Sequence, residues 1–210
     1  LLLLKRNYDT IAWFYDRLSR LIYGKSLIKA QQYLVRFIPA GARVLVAGGG
    51  TGWVLEEIQN IHPSGLTITY VDASAKMIAR AEKRNIGANE VAFITGPVEQ
   101  VVLHGKYDVV LTPFLFDNFS EESLQNIFAR IHARLSPSSL WLYCDFRDTG
   151  VLWQKMVLKI MYLFFRLTCS IEATHLPDAK ACFHSHNYKA IAQQTFISGF
   201  IESEVYKRFV

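Results

Sequence analysis

Apolar positions along the chain fall into short dense runs, separated by stretches in which they recur every three or four residues. The dense runs are Val44-Leu45-Val46-Ala47 and residues 66–71, 91–95, 107–112 and 140–146. Runs of that length, bounded by glycine, proline or charge, predict strands buried on both faces, as in a parallel sheet. The stretches between them predict helices. Trp53-Val54-Leu55-Glu56-Glu57-Ile58 follows a glycine cluster, and residues 75–84 follow a cap candidate in Ser74. Ser120 opens a third helix, with Glu121 and Glu122 in its first turn and Arg130 and Arg134 in its last. Residues 7–38 read as helical with a break at Gly24, and residues 188–198 as a helix closed by Gly199. Residues 200–209 read as a final strand. This alternation predicts an α/β fold with a Rossmann-like, doubly wound, mostly parallel sheet and helices on both faces, a three-layer α/β/α arrangement. Six strands can be counted.

Residues 151–168 stand apart. They form an 18-residue run that is nearly all apolar, yet Lys155, Lys159 and Arg166 share one narrow stripe of a helix. Three charges in so short a run exclude a comfortable membrane span. A lid over an apolar substrate pocket, a homodimer surface and an interfacial membrane helix all fit the pattern. Residues 170–187 read as irregular. They contain His175, Cys182, His184 and His186, whose spacing matches no standard metal site, so no metal is expected.

Composition narrows the class. With 210 residues and 51% hydrophobic content the chain suits one α/β domain over 1–210. A charged fraction of 20% argues against general disorder. The formal charge of +5 is scattered, with no dense Lys/Arg run interleaved with aromatics, so no nucleic-acid partner is expected. Three cysteines without CxxC spacing argue against a disulfide framework and for a reducing cytoplasm. Leu1-Leu2-Leu3-Leu4 before Lys5-Arg6 is too short for a signal peptide and in the wrong order.

The candidate chemistry lies where the first dense run meets Gly48-Gly49-Gly50-Thr51-Gly52. Glycines there permit positive φ and leave bare backbone for a ligand, while the helix that follows offers free N–H groups. Asp72 ends the next strand, 20 residues past Gly52, where a carboxylate can accept hydrogen bonds from a ribose diol. The dinucleotide pattern G-x-G-x-x-G/A puts bulky Trp53 or Leu55 at its third small position, which disfavours NAD and FAD.

V-L-V-A-G-G-G-T-G followed by Asp72 resembles motifs I and II of class I S-adenosylmethionine (SAM) methyltransferases. Tyr8-Asp9, Ala12 and Tyr15-Asp16 resemble the entry segment of the group that includes the ubiquinone and menaquinone methyltransferases. The resemblance implies SAM as cofactor and S-adenosylhomocysteine as product. It implies a cofactor site made of Tyr15, Ala47, Gly48, Gly49, Gly50, Gly52, Asp72, Ala73, Met77, Pro97, Val98, Thr112 and Phe114. It also implies an N-terminal helical cap over residues 1–40 and a substrate lid over 147–187. Two positions depart from the family pattern: Val46 and Pro97 stand where an acid is common. The usual family sheet has seven strands ordered 3-2-1-4-5-7-6, so the seventh is either absent here or cut off.

The expected reaction is methyl transfer to a small, apolar acceptor. Asp117, Tyr15, His175 and His184 are the candidates for a general base. The alternatives are a non-catalytic binding or scaffold protein of the same fold, motivated by Val46, Pro97 and the uncounted seventh strand, and a peripheral membrane enzyme with a lipid-like acceptor.

Overall fold

Parallel strands buried on both faces account for most of the chain's apolar runs. The computed structural model describes residues 24–169 and 173–209. Helix α1 (Ser26–Val35) leads into β1 (Arg43–Ala47), α2 (Trp53–Ile61), β2 (Ser64–Asp72), α3 (Ala75–Ala81) and β3 (Ala88–Thr95). Then come β4 (Tyr107–Pro113), a 3-10 turn (Phe116–Asn118), α4 (Glu121–His132) and β5 (Leu135–Phe146). Helices α5 (Leu152–Cys169) and α6 (Ala179–Ser185) precede the closing pair β6 (Tyr188–Phe196) and β7 (Ile201–Arg208).

These strands form one sheet in the order β3-β2-β1-β4-β5-β7-β6. The pairs from β3 to β5 are parallel, and β7 runs antiparallel to both neighbours. Val44, Leu45, Val46 and Ala47 are all fully buried, which explains their uninterrupted hydrophobicity: β1 sits mid-sheet with helices on either side. Alternate residues divide between two core layers. Val44 and Val46 join the layer carrying side chains of α1, α2, α3 and α5, while Leu45 and Ala47 join the layer of α4 and α6. Full burial of each such side chain contributes about 1.5–3 kcal/mol.

The reading of residues 188–198 as a helix, and the count of six strands that followed from it, are overturned. Residues 188–196 are edge strand β6, paired with β7 along its length with one irregularity between Ala190 and Ala192. Tyr188, Ile191, Ala192 and Phe196 carry helical spacing, and Ala and Gln favour helices, but β7 offered an unpaired edge and its ladder bonds won. The hairpin between them turns on Ile197, Ser198 and Gly199, all at positive φ. Residues 173–187 are more ordered than expected, while 170–172 lie outside the described residues. Asp178 accepts from Ala181 N at 3.0 Å and caps the short helix α6.

Helix α6 is held by charge and ring stacking. Lys180 Nζ lies 2.7 Å from Glu202 and 3.1 Å from Glu204, two buried acids on one face of β7. Phe183 stacks on Tyr206 with centroids 3.7 Å apart. On the opposite face of β7, Ser203 Oγ donates to Ala30 O of α1 at 3.0 Å. Among the described residues no helix is long and apolar enough to cross a membrane.

Candidate active site

The strand order reverses direction at β1, so its carboxyl end and that of β4 open a crevice between helices running to opposite faces. The glycine elbow lies here. Gly48 and Gly50 have φ of +70° and +63°, and Gly52, the N-cap of α2, has +86° with no side-chain cap bond. Each glycine answers a different demand. A Cβ on Gly49 would fall 2.2 Å from the Tyr70 ring, and one on Gly52 would fall 2.7 Å from Ala81 Cα. Beside Gly50 a Cβ would meet nothing within 4 Å, so that backbone borders open space.

Asp72 fastens the elbow from the neighbouring strand. Its Oδ2 accepts from Gly50 N at 2.8 Å and its Oδ1 from Ser74 N at 2.9 Å. The residue sits at the carboxyl end of β2 and is 9% exposed. Tyr70, two residues earlier on β2, donates its hydroxyl to Gly50 O at 3.1 Å. Both ends of the Gly50 unit are thereby tied to β2.

Beyond β4 the chain bends sharply at Phe114, whose φ of +52° is rare for so bulky a residue. Its N–H donates to Cys144 O of β5 at 2.8 Å, and its ring packs 5.4 Å from that of Phe146. The bend lays Leu115 against the elbow, with its Cδ1 2.6 Å from where a Cβ on Gly48 would stand. Backbone held in such a region at a strand end is a recurrent mark of a ligand site.

A second acid lies at the end of β5. Asp145 Oδ2 accepts from Phe116 N and Asp117 N, each at 3.1 Å, and Oδ1 accepts from Phe146 N at 2.9 Å. Asp117, buried beside it, has Asn118 Nδ2 at 2.6 Å. Burial and the Asp145 charge hold the Asp117 carboxyl well above the ordinary carboxylate range. Burial raises Asp145 to about 7, against the pull of its three backbone donors. Both acids therefore bind protons more tightly than ordinary carboxyls do. Tyr162 of α5 is 6% exposed, its phenol is raised by burial and by both acids, and its hydroxyl has no hydrogen-bond partner among the described residues.

The sequence-predicted residues are distributed as follows. Ala47, Gly48, Gly49, Gly50, Gly52, Asp72 and Ala73 lie at, or just beyond, the carboxyl ends of β1 and β2. Met77 is 4% exposed in α3, and Pro97 opens the turn after β3, with Val98 buried behind it. Thr112 is fully buried, and its hydroxyl accepts from the Trp141 indole N–H at 3.0 Å, inside the core rather than toward the crevice. Tyr15 lies outside the described residues. Of the base candidates, Asp117 alone among the described residues reaches the carboxyl edge. His175 is exposed in the α5–α6 connection beside Thr174, and His184 is exposed on α6 next to Phe183, which packs on Trp141 and Tyr206. Val46 sits fully buried in the core layer.

The methyltransferase-domain family matches residues 44–138, from β1 into the start of β5. That match spans the elbow, Asp72 and the β4 bend. The match supports a class I SAM-dependent methyltransferase. The cofactor of this family is SAM. Malonyl-(acyl-carrier protein) O-methyltransferase from Bacillus cytotoxicus is 27% identical over 145 residues, covering 69% of this chain and 50% of that protein. The chain spans about half the length of the curated relatives it matches. Among solved structures, magnesium protoporphyrin IX methyltransferase from Synechocystis PCC 6803 superposes with a TM-score of 0.66 at 16% identity, over 96% of this chain and 97% of that one. Burkholderia thailandensis 1,6-didemethyltoxoflavin-N1-methyltransferase gives 0.66 at 15% identity, over 96% and 86%. At such identities these structures speak for the methyltransferase fold.

Three residues of the crevice went unnoticed in the sequence: Asp145, Tyr162 and Leu115. The signal for Asp145 was available, since it is an acid ending an apolar run as Asp72 does. Leu115 and Tyr162 carried no signal, being apolar-spaced residues among many.

Proposed function

We propose that this chain is the cofactor-binding and methyl-transferring domain of a SAM-dependent methyltransferase acting on a small acceptor with an apolar body and one polar group. The observation that carries the reading is the Gly50 elbow, open on one side and fastened by Asp72 on the other. SAM supplies an already activated methyl group on a sulfonium, so the protein's work is proximity, alignment and exclusion of water. Asp72, at the carboxyl end of β2, would hold the ribose diol. The bare edge of Gly48-Gly49-Gly50 would lie along the methionine portion, and Met77, Pro97 and Val98 beside the adenine. Phe114, Phe146 and the inner side of α5 would wall the acceptor, within a lid spanning 147–187. Tyr162 would donate its unpartnered hydroxyl to the acceptor's polar group. Asp117, whose carboxyl is held well above the ordinary range by burial and the Asp145 charge, suits hydrogen-bond donation better than proton removal.

Similarity to malonyl-(acyl-carrier protein) O-methyltransferases favours a second acceptor class, an acyl chain on a carrier protein. Calorimetric titration with S-adenosylhomocysteine tests the cofactor half of the proposal. Micromolar binding weakened by Asp72→Ala supports it, whereas no binding returns the chain to a scaffold role. Methylation assays with free fatty acids and with acyl-carrier-protein thioesters separate the two acceptors.

A further inference from the structure

Helix α5 has two unlike sides. Gln154, Leu158 and Tyr162 are buried, and Gln154 reaches Thr149 and the Ser198 carbonyl at the β6–β7 turn. The outward side is apolar: Leu152 is 83% exposed, Met156 60%, Ile160 61%, Leu163 59% and Leu167 78%. With Val151 and Trp153, this segment holds seven of the eleven large apolar residues exposed among the described residues. Their concentration on one helix face is not the scattering expected of an ordinary surface.

Charge is arranged around that ridge. At about 100° per residue, Leu152, Met156, Ile160, Leu163 and Leu167 fall within an arc of about 80°. Lys155, Lys159 and Arg166, all exposed, fall within about 40°, centred roughly 80° to one side. Residues 149–171 contain no acid. A second copy of the chain would bring three more cations and nothing on this helix to neutralise them. An acidic protein could meet the cations, but the apolar ridge, outermost on the helix, would need a groove to enter. A bilayer meets both demands. Its acyl boundary accepts the ridge, and anionic headgroups accept the cations, whose alkyl stems bend toward the interface.

We infer that α5 is an in-plane membrane helix whose outward face seats on an anionic bilayer. The inference concerns the outer side of a helix whose inner side faces the crevice, and it holds whether or not the methyl-transfer reading does. Co-sedimentation of the whole chain with vesicles of phosphatidylcholine, alone or mixed with phosphatidylglycerol, tests it, with S-adenosylhomocysteine binding and circular dichroism as separate controls. The chain is expected to sediment with the mixed vesicles at low salt and little with the neutral ones. Lys155→Glu/Lys159→Glu/Arg166→Glu should reduce that binding on the order of a hundredfold. Leu152→Gln/Met156→Gln/Ile160→Gln should do so at least tenfold, and both variants should keep the fold because every changed side chain is exposed. No binding to mixed vesicles overturns the inference, as does binding that survives charge reversal. A dimer dissolved by the glutamine variant, without vesicle binding, overturns it in favour of contact between copies.

Discussion

Asp72 and Asp145 occupy the same kind of position and have different fates. Each ends a parallel strand at the carboxyl edge of the sheet, and each accepts backbone N–H groups from the loop of an adjacent strand. Asp72 binds the N–H groups of Gly50 and Ser74 and is 9% exposed. Asp145 binds those of Phe116, Asp117 and Phe146, is 2% exposed, and faces a second buried acid. A carboxylate at an opening can meet a ligand. One buried among backbone donors holds a loop in place. The first fastens the elbow while leaving it readable. The second fixes the bend from Phe114 to Asn118 that forms the opposite wall.

On that division, the largest effect comes from removing the more deeply buried acid. Asp145→Ala strands buried N–H groups of Phe116, Asp117 and Phe146, and should cost about 3 kcal/mol of stability by urea unfolding. Part of the loss is returned by relieving repulsion with Asp117. Asp72→Ala should instead act on the ligand, weakening S-adenosylhomocysteine binding by about 1.5–3 kcal/mol in calorimetry while costing stability less than Asp145→Ala. Unchanged affinity in that variant would end the assignment of Asp72 to the ribose.

The two acids also show what was legible in the sequence. Asp72 could be read because a glycine cluster stands at a fixed distance before it, and the order of elements from β1 to β5 followed from dense runs alternating with helical spacing. Asp145 has no such companion in the sequence. Its partners, Phe116 and Asp117, come near only when β4 and β5 pair. Strand β6 was misread for a related reason, since its exposed edge carries Lys189, Gln193 and Gln194, and nothing in a polar edge strand with helical spacing announces a ladder. Pairing between distant segments decided both cases.

A pH series sharpens the comparison at smaller amplitude. Both members of the Asp117–Asp145 pair bind protons more tightly folded than unfolded, where carboxyls ionise near pH 4. The folded state therefore holds more protons between about pH 4 and 7, so the pair's contribution is present below that window and declines as pH rises through it. Asp117→Asn removes one titrating group and relieves the other. Relative to the unaltered chain, the variant should gain about 1–2 kcal/mol between pH 5 and pH 8, read by urea unfolding at each pH. A difference that shrinks with rising pH would mean that the two acids do not share a site.

The smallest effect is the most telling about the acceptor. Tyr162→Phe removes a buried hydroxyl that has no partner among the described residues, so the free protein should lose nothing and gain up to about 1 kcal/mol, because an unsatisfied polar group is costly to keep. A group retained at a cost in the free state implies a partner in another state. If the partner is the acceptor, Tyr162→Phe should raise KM for it several-fold and leave S-adenosylhomocysteine affinity unchanged. That separates the β5 side of the crevice from the β2 side, where Asp72→Ala does the reverse. A variant that is no less stable and binds both ligands as before would leave the hydroxyl without a role and return the acceptor wall to Phe114 and Phe146 alone.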